Sequence, residues 1–347
     1  MLKTIFRVLA IIAVLLTVFP FLAADAWYIR MFDYPHVQLT FLTLFILLIY
    51  FFKFEYKNWK DNIFLTALII CLIVQAIKIY PYTPFAAYEV KPSTQKENKL
   101  KIYIANVLQK NKEHEKVIQQ IEEKDPDVFL LTETDQKWLT AIQENFKKEY
   151  AYRVEVPIPN TYGMILYSKL DLLNPKVNYL IEDSIPSIDT KLRLANNTLI
   201  QLHTIHPKPP MPQESKTSKN RDAEMMVVAK EVLNDDEIPT LVMGDFNDVA
   251  WSTTTTLFQE VSKLLDIRKG RGFYNTYDAN SFIMRWPLDH VFVSEEFRLS
   301  TIELLEKNGS DHLPVYLELT YEPQHKEEQQ KDNPSKEEMD DAEEQMK

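Results

Sequence analysis

Two residue types are nearly missing from this chain. Glycine occurs five times in 347 residues and forms no clustered run. That excludes the glycine-rich loops with which P-loop and dinucleotide-binding folds cradle phosphates. Cysteine occurs once, at Cys71, so no intramolecular disulfide can form. The larger domain must then rest on its apolar core, which about 220 residues can supply. Basic excess is also lacking. Residues 91–321 carry 28 basic and 35 acidic side chains, and the whole chain has a net charge of −11. Proteins that grip duplex nucleic acid show a basic stripe, because phosphate neutralisation dominates that affinity. None is visible here, although Arg268-Lys269-Gly270-Arg271 could serve a single phosphate.

What the first quarter has instead is apolar length. Residues 8–24, 34–52 and 62–77 are runs of 17, 19 and 16 residues without Asp, Glu, Lys or Arg. A bilayer span needs about 20 mostly apolar residues. Three such runs predict a three-helix transmembrane anchor over 1–80. A cleaved signal peptide ending at Ala24-Asp25-Ala26 is the alternative for the first run. Lys3 and Arg7 flank the first run, and the second loop holds Lys53, Lys57 and Lys60 against only Arg30 in the first. By the positive-inside rule the N-terminus is cytoplasmic and the large domain lies outside the plasma (inner) membrane.

Residues 81–99 contain three prolines and no long apolar run, and read as a linker. Over 100–321, β-favouring runs alternate with helical candidates at 113–123 and 221–233, with weaker ones at 138–146 and 255–265. This mixture predicts stacked sheets covered by helices. Residues 322–347 hold 4 basic and 10 acidic side chains and almost nothing apolar, which predicts a disordered tail. A short helix over 336–346 would have no core to join.

Polar residues stand at the ends of the apolar runs. Asn106 ends 101–105, Glu133 ends 127–132, His203 ends 198–202, and Asp245 and Asn247 follow 238–243. Asp289 opens 289–293, and Ser310-Asp311-His312 precedes 313–320. In open α/β sheets, ligands bind beyond strand ends. Glu133 suits a hard cation such as Mg2+, with Mn2+ as substitute. His312 beside Asp289 would be an oriented imidazole able to act as acid or base. Each alone has a plainer reading: Asp245-Phe246-Asn247 as an Asx turn, Glu133 as a solvated carboxylate, and His203 with His206 as half of a zinc site. His290 should face away from Asp289 across its strand and be structural.

Taken together, Asn106, Leu-Leu-Thr-Glu133, His203, Gly-Asp-Phe-Asn at 244–247, Leu-Asp-His-Val at 288–291 and Ser-Asp-His at 310–312 resemble the endonuclease/exonuclease/phosphatase superfamily. His-Pro-x-Pro-Pro at 206–210 and Trp251-Ser252 resemble its membrane-anchored bacterial members. The resemblance covers roughly 100–321. It implies a four-layer α/β sandwich, two stacked mixed sheets flanked by helices, preceded here by the three transmembrane helices. It further implies a metal-dependent hydrolase of phosphate esters, with Asn106, Glu133 and Asp311 at the metal. Asp245 would position the attacking water, and Asn247 and His203 would contact phosphate. Tyr162 and Arg221 could also reach a phosphate, and Trp286 could line a pocket. Thr132 departs from the family, which often has Gln before the metal-binding Glu.

The partners expected are a phosphate-ester substrate (lipid, nucleic acid or small molecule) and the lipid bilayer; no protein partner is evident. An exported nuclease and an inactive anchored binding or scaffold module are the competing readings.

Overall fold

The computed structural model describes residues 2–22, 25–53, 57–235 and 237–347. Ala24, the end of the first apolar run, lies outside them. Four helices lead: α1 (Leu2–Val18), α2 (Trp27–Arg30), α3 (His36–Lys53) and α4 (Trp59–Ile79). The three long ones pack through Ala10, Ala13, Leu39, Ile46 and Leu68. Their other faces are bare hydrocarbon: Phe41, Phe45, Phe52 and Ile77 are all exposed. Two stretches, Thr4–Leu22 and Trp59–Tyr82, are long and apolar enough to cross a membrane, while His36–Phe52 falls short of that length. Of the three spans expected, two are thus found among the described residues, and the third run forms a shorter apolar helix. Inside this bundle Asp61 accepts from Arg7 (2.6 Å) and Tyr50 (2.8 Å), and Gln75 donates to Thr17 and Thr43. Pairing of this kind removes much of the cost of burying polar groups.

The remainder holds twelve strands among the described residues: β1 (Lys99–Asn106), β2 (Val128–Thr132), β3 (Tyr152–Val156), β4 (Met164–Ser168), β5 (Leu172–Asn178), β6 (Ser187–Arg193), β7 (Leu199–Ile205), β8 (Thr240–Asp245), β9 (Leu265–Asp266), β10 (Asp289–Val293), β11 (Phe297–Leu304) and β12 (Val315–Tyr321). They form two six-stranded sheets, ordered β11-β12-β1-β2-β4-β3 and β5-β6-β7-β8-β10-β9. Each sheet is mixed, with one parallel pair, β1/β2 and β7/β8 respectively.

Strand alternation assigns the layers. From β2, Val128 and Leu130 face the second sheet, whose Leu202, Leu241, Met243 and Val291 complete the central core. Phe129 and Leu131 face outward onto α5 (His114–Lys124) and α6 (Gln136–Phe146), whose Ile118, Trp138 and Ile142 cover them. On the far side Val242 and Phe292 meet α7 (Lys219–Asn234) and α8 (Thr253–Ser262) through Met225 and Phe258. The result is helix, sheet, sheet, helix, the expected α/β sandwich.

Two flanking segments are more ordered than their composition predicts. In 81–99, Val90 is fully buried, the Gly270 N–H donates to the Pro81 carbonyl, and the Asp266 N–H donates to Glu89. In the acidic tail, α9 (Lys336–Gln345) starts with a capping box between Ser335 and Glu338. Its Met339 and Ala342 pack on the core under α7 and α8, so the helix does have a core to join.

The N-terminal helices are docked onto the sandwich. Tyr82 donates to the Ala250 carbonyl (2.6 Å), and Trp251 packs with Tyr82, Ile79 and Leu288. The short loop containing α2 runs beside 216–218, where the Trp27 N–H donates to the Lys216 carbonyl.

Candidate active site

The two parallel pairs run the same way within their sheets, so Asn106, Glu133, His206 and Asp245 all emerge at one edge of the sandwich. Antiparallel neighbours complete it: Asp289 opens β10 opposite Asp245 in register, and His312 precedes β12. Gly244 is required here. Its φ is +147°, and a Cβ would meet the Ile205 carbonyl oxygen at 2.0 Å, so only glycine lets β8 lie this close to β7. Glu133 itself has φ +59°, a left-handed conformation uncommon for glutamate, and such strain gathers at functional sites.

Asn106 joins the two sheets. Its Nδ2 donates to Glu133 Oε1 (2.9 Å) and to Asp245 Oδ2 (3.0 Å), while its Oδ1 accepts from the Leu108 N–H. His312 Nδ1 bonds to Asp289 Oδ2 (2.8 Å), leaving Nε2 directed at Asp245 Oδ2, 3.7 Å away. His206 Nε2 lies at the same distance from that oxygen. Ser310 fixes the approach of His312, donating to the Asn106 carbonyl and accepting the His312 N–H. Asn247 is held by its own N–H to Asp245 Oδ1 and by its Nδ2 to the Pro207 carbonyl.

Burial raises the Glu133 carboxyl above its usual range, and the nearby histidines only partly offset this. Asp245, fully enclosed, is raised for the same reason. For His312 burial opposes the charged form, yet Asp289 and Asp245 outweigh it and push the imidazole up to about 10. The site is therefore a group of desolvated carboxylates with no lysine or arginine paired to them among the described residues. Asp289 Oδ1 and His206 Nδ1 are buried and make no hydrogen bond to the protein. Such a donor set fits a hard divalent cation. Asp245, Asp289 and His312 bring one ligand atom each to within 4.8 Å of one another. His312 uses only Asp289 Oδ2, so Asp289 Oδ1 and the Glu133 carboxylate both bring oxygen to the site without breaking the His312–Asp289 pair. Asp311 lines the same cavity.

One expected residue is not in the site. β7 extends to Ile205, beyond the run read from sequence, so His203 lies within the strand. By alternation it faces outward beneath α7, near Asp189, where burial lowers its pKa. His206, just past the strand end, takes the place expected for His203. The two rings diverge, which also removes the zinc reading. Arg221 is 1% exposed, and its charge is spent on Asp222 and Asp248 while NH1 donates to the Asn247 carbonyl. It shapes the Asn247 turn instead of meeting phosphate. Arg268 is likewise buried against Asp266. His290 points to the opposite face, bonded to the Asp248 carbonyl and Arg268, as expected. Tyr162 lines the cavity with its hydroxyl on Glu214, and the Thr132 hydroxyl makes no hydrogen bond.

Sequence reasoning missed the cavity's other wall. The cavity measures about 730 Å³, and beside the polar rim it is lined by Leu16, Trp27, Met31, Phe32 and Tyr34 of the N-terminal helical segment. Tyr34 donates to the Asn247 carbonyl (3.0 Å) and stacks edge-on against Trp286. Lys110, also missed, lines the rim. Nothing local marks these residues, since the contacts span some 200 positions of sequence.

No curated protein matches the chain. Among solved structures it is similar to an endonuclease/exonuclease/phosphatase family protein from Bacteroides thetaiotaomicron, with 18% identity and TM-score 0.54, over 66% of this chain and 100% of that one. It is similar to the human Nocturnin catalytic domain with bound sulfate, with 16% identity and TM-score 0.53, over 66% and 96%. A mannosyl-6-phosphatase from Bacteroides thetaiotaomicron VPI-5482 gives 18% identity and TM-score 0.51, over 64% and 100%. At these identities the likeness is one of fold. Residues 103–312 match the Endonuclease/Exonuclease/phosphatase family across more than half the chain, and the chain belongs to that family.

Proposed function

We propose that the protein is a membrane-anchored, Mg2+-dependent phosphoesterase that hydrolyses a phosphodiester or phosphomonoester by in-line attack of water on phosphorus. The observation that carries this is the Asn106 bridge, which sets Glu133 and Asp245 side by side, with the His312–Asp289 pair at the same oxygen. Glu133, with Asp311 nearby, would hold the cation, which leaves Asp245 to act on the water. When bound, it neutralises charge developing on the phosphoryl oxygens.

The chain's own groups divide the remaining work. Asp245 orients the attacking water and takes its proton. The water oxygen bonds to phosphorus as the ester bond to the leaving alcohol breaks, and that alcohol regains a proton. His312, held protonated by Asp289, and His206 face the phosphoryl oxygens, as does the Asn247 amide. No serine, threonine or cysteine stands among these groups as an activated nucleophile, in keeping with direct attack by water.

Anchoring rests on α1 and α4, which are mostly unburied apolar helices. We take α3 as the third span, because its 18 residues reach about 27 Å, near the roughly 30 Å of a bilayer core. The N-terminus would then be cytoplasmic and the sandwich extracytoplasmic. The acidic balance of the sandwich does not favour tight duplex binding.

The test uses the full chain in detergent, because anchor residues form part of the cavity. A panel of single- and double-stranded DNA, RNA, phosphomonoesters and bis-p-nitrophenyl phosphate is incubated with Mg2+, with Mn2+ and with chelator, beside His312→Ala. Metal-dependent turnover lost in the variant supports the reading. Turnover that persists with chelator and in the variant contradicts it.

A further inference from the structure

The catalytic cavity is walled on one side by the membrane anchor, and that wall is hydrocarbon. Leu16 belongs to α1, two residues before its end, in the last third of the apolar stretch Thr4–Leu22. Trp27, Met31 and Phe32 continue the wall through the loop that precedes α3. The sandwich supplies the facing side with Met211, in the proline-rich segment after His206, and with Met284. One continuous space therefore runs from Glu133, Asp245 and His312 to the membrane ends of the anchor helices.

A second feature lies at the same level. Phe282, Ile283 and Met284 form a loop tip in which Phe282 is 96% exposed and Ile283 69%. The Gln38 amide in the first turn of α3 donates to the Ile283 carbonyl (2.7 Å). The tip is thus pinned beside the turn at which α3 enters its apolar run. Three consecutive exposed apolar residues are costly in water, and an interfacial layer at the level of the first turn of α3 would cover them.

Resting on the phosphoesterase reading above, we infer that the substrate is a phosphoester lipid of the bilayer in which the helices sit. Its phosphate occupies the rim of Glu133, Asp245, His206 and His312, and its hydrocarbon lies along Leu16, Met31, Phe32, Met211 and Met284. The 282–284 tip inserts beside α3 and keeps the cavity mouth at the membrane surface. In this arrangement the anchor is part of the binding site as well as a tether. Water adds to phosphorus, one P–O ester bond breaks, and the leaving alcohol takes up the proton, so the products are an alcohol and a phosphomonoester.

The experiment compares acylated and tail-less substrates on the full-length protein in mixed micelles with Mg2+. The acylated probes are dioleoyl phosphatidylcholine, phosphatidylethanolamine and phosphatidylglycerol; the tail-less probes are the matching glycerophosphodiesters and bis-p-nitrophenyl phosphate. With the acyl chains held along the apolar wall, the expected preference is about 100-fold or more in kcat/KM for the best lipid over its tail-less counterpart. Met211→Glu and Met284→Glu, both at partly exposed positions, are expected to lower that preference about tenfold or more.

Equal turnover of acylated and tail-less diesters, or a preference unmoved in both variants, overturns the lipid assignment and leaves the phosphoesterase reading standing. The same follows if bis-p-nitrophenyl phosphate is hydrolysed and none of the lipids is. Hydrolysis of no probe at all, by protein with an intact thermal transition, removes the phosphoesterase reading and the lipid assignment with it.

Discussion

The indole N–H of Trp251 donates to the backbone carbonyl of Asp33 across 2.7 Å. This bond joins the segment just after Gly-Asp-Phe-Asn to the anchor loop, which continues at Tyr34 into the cavity wall. Trp251 is 3% exposed and packs on Tyr82 and Phe273. Trp251→Ala is expected to destabilise the docked state by about 3–5 kcal/mol through lost packing. Trp251→Phe keeps much of the ring but removes one of the two hydrogen bonds at the Asp33 carbonyl, the other being to His36 Nδ1, for about 0.5–1.5 kcal/mol. Thermal unfolding in detergent, with limited proteolysis of residues 25–36, reads both effects, and melts equal to the parent's contradict the docking role.

The His312–Asp289 pair predicts two distinct losses. His312→Ala should lower kcat by about 10²–10³-fold, the usual range for removing one charged or hydrogen-bonding group that stabilises the developing oxyanion. Asp289→Asn keeps the hydrogen-bonding shape but removes the carboxylate that raises the His312 pKa. Its high-pH limb should move to lower pH, since the protonated imidazole is then lost earlier. A pH–rate profile of Asp289→Asn superimposable on the parent's argues against the pairing as a functional one.

Glu133 should bind the cation independently of turnover. Glu133→Gln removes a buried charge while keeping the Asn106 contact partly intact, and divalent affinity should fall about tenfold or more. Isothermal titration with Mg2+ or Mn2+ measures this without a substrate. Unchanged affinity would move the cation away from Glu133.

Most of this rim could be read from sequence, because its residues obey a rule about strand ends. Asn106, Glu133, Asp245, Asp289 and His312 each follow or precede a run of apolar, β-favouring residues, and each is found at the shared edge. His203 failed on the same rule. Thr204 and Ile205 prolong β7 beyond the apolar run that ended at Leu202, and that extension turns His203 outward and delivers His206. Strand parity is settled by pairing with β6 and β8, which local composition does not reveal. α9 is a similar case: from sequence a short helix over 336–346 has no core to join, because its partner surface on α7 and α8 exists only after folding. The anchor's share of the cavity was least legible, since it depends on the loop containing α2 folding back over Trp251.

Buried Glu224 on α7 gives a pH-dependent stability that is separate from the rim. Burial, with Glu182 nearby, raises its carboxyl to about 8. The folded state thus holds a proton that the unfolded chain releases near its ordinary value of 4.5. Between those two values the native state binds more protons, so stability falls as pH rises. At about 1.4 kcal/mol per pH unit the loss amounts to several kcal/mol by pH 8. Glu224→Gln should flatten this slope and raise the melting temperature near pH 8 relative to the parent. An equally steep decline in the variant would assign the slope to other groups.

The central claim is that water, directed by Asp245, attacks phosphorus at this rim. Its most direct test is hydrolysis of the best substrate in oxygen-18 water, with products read by mass spectrometry for the full-length protein and for Asp245→Ala. The account predicts one oxygen-18 in the phosphate-bearing product, none in the alcohol, and loss of turnover in the variant. Label in the alcohol, or undiminished turnover by Asp245→Ala, would contradict it.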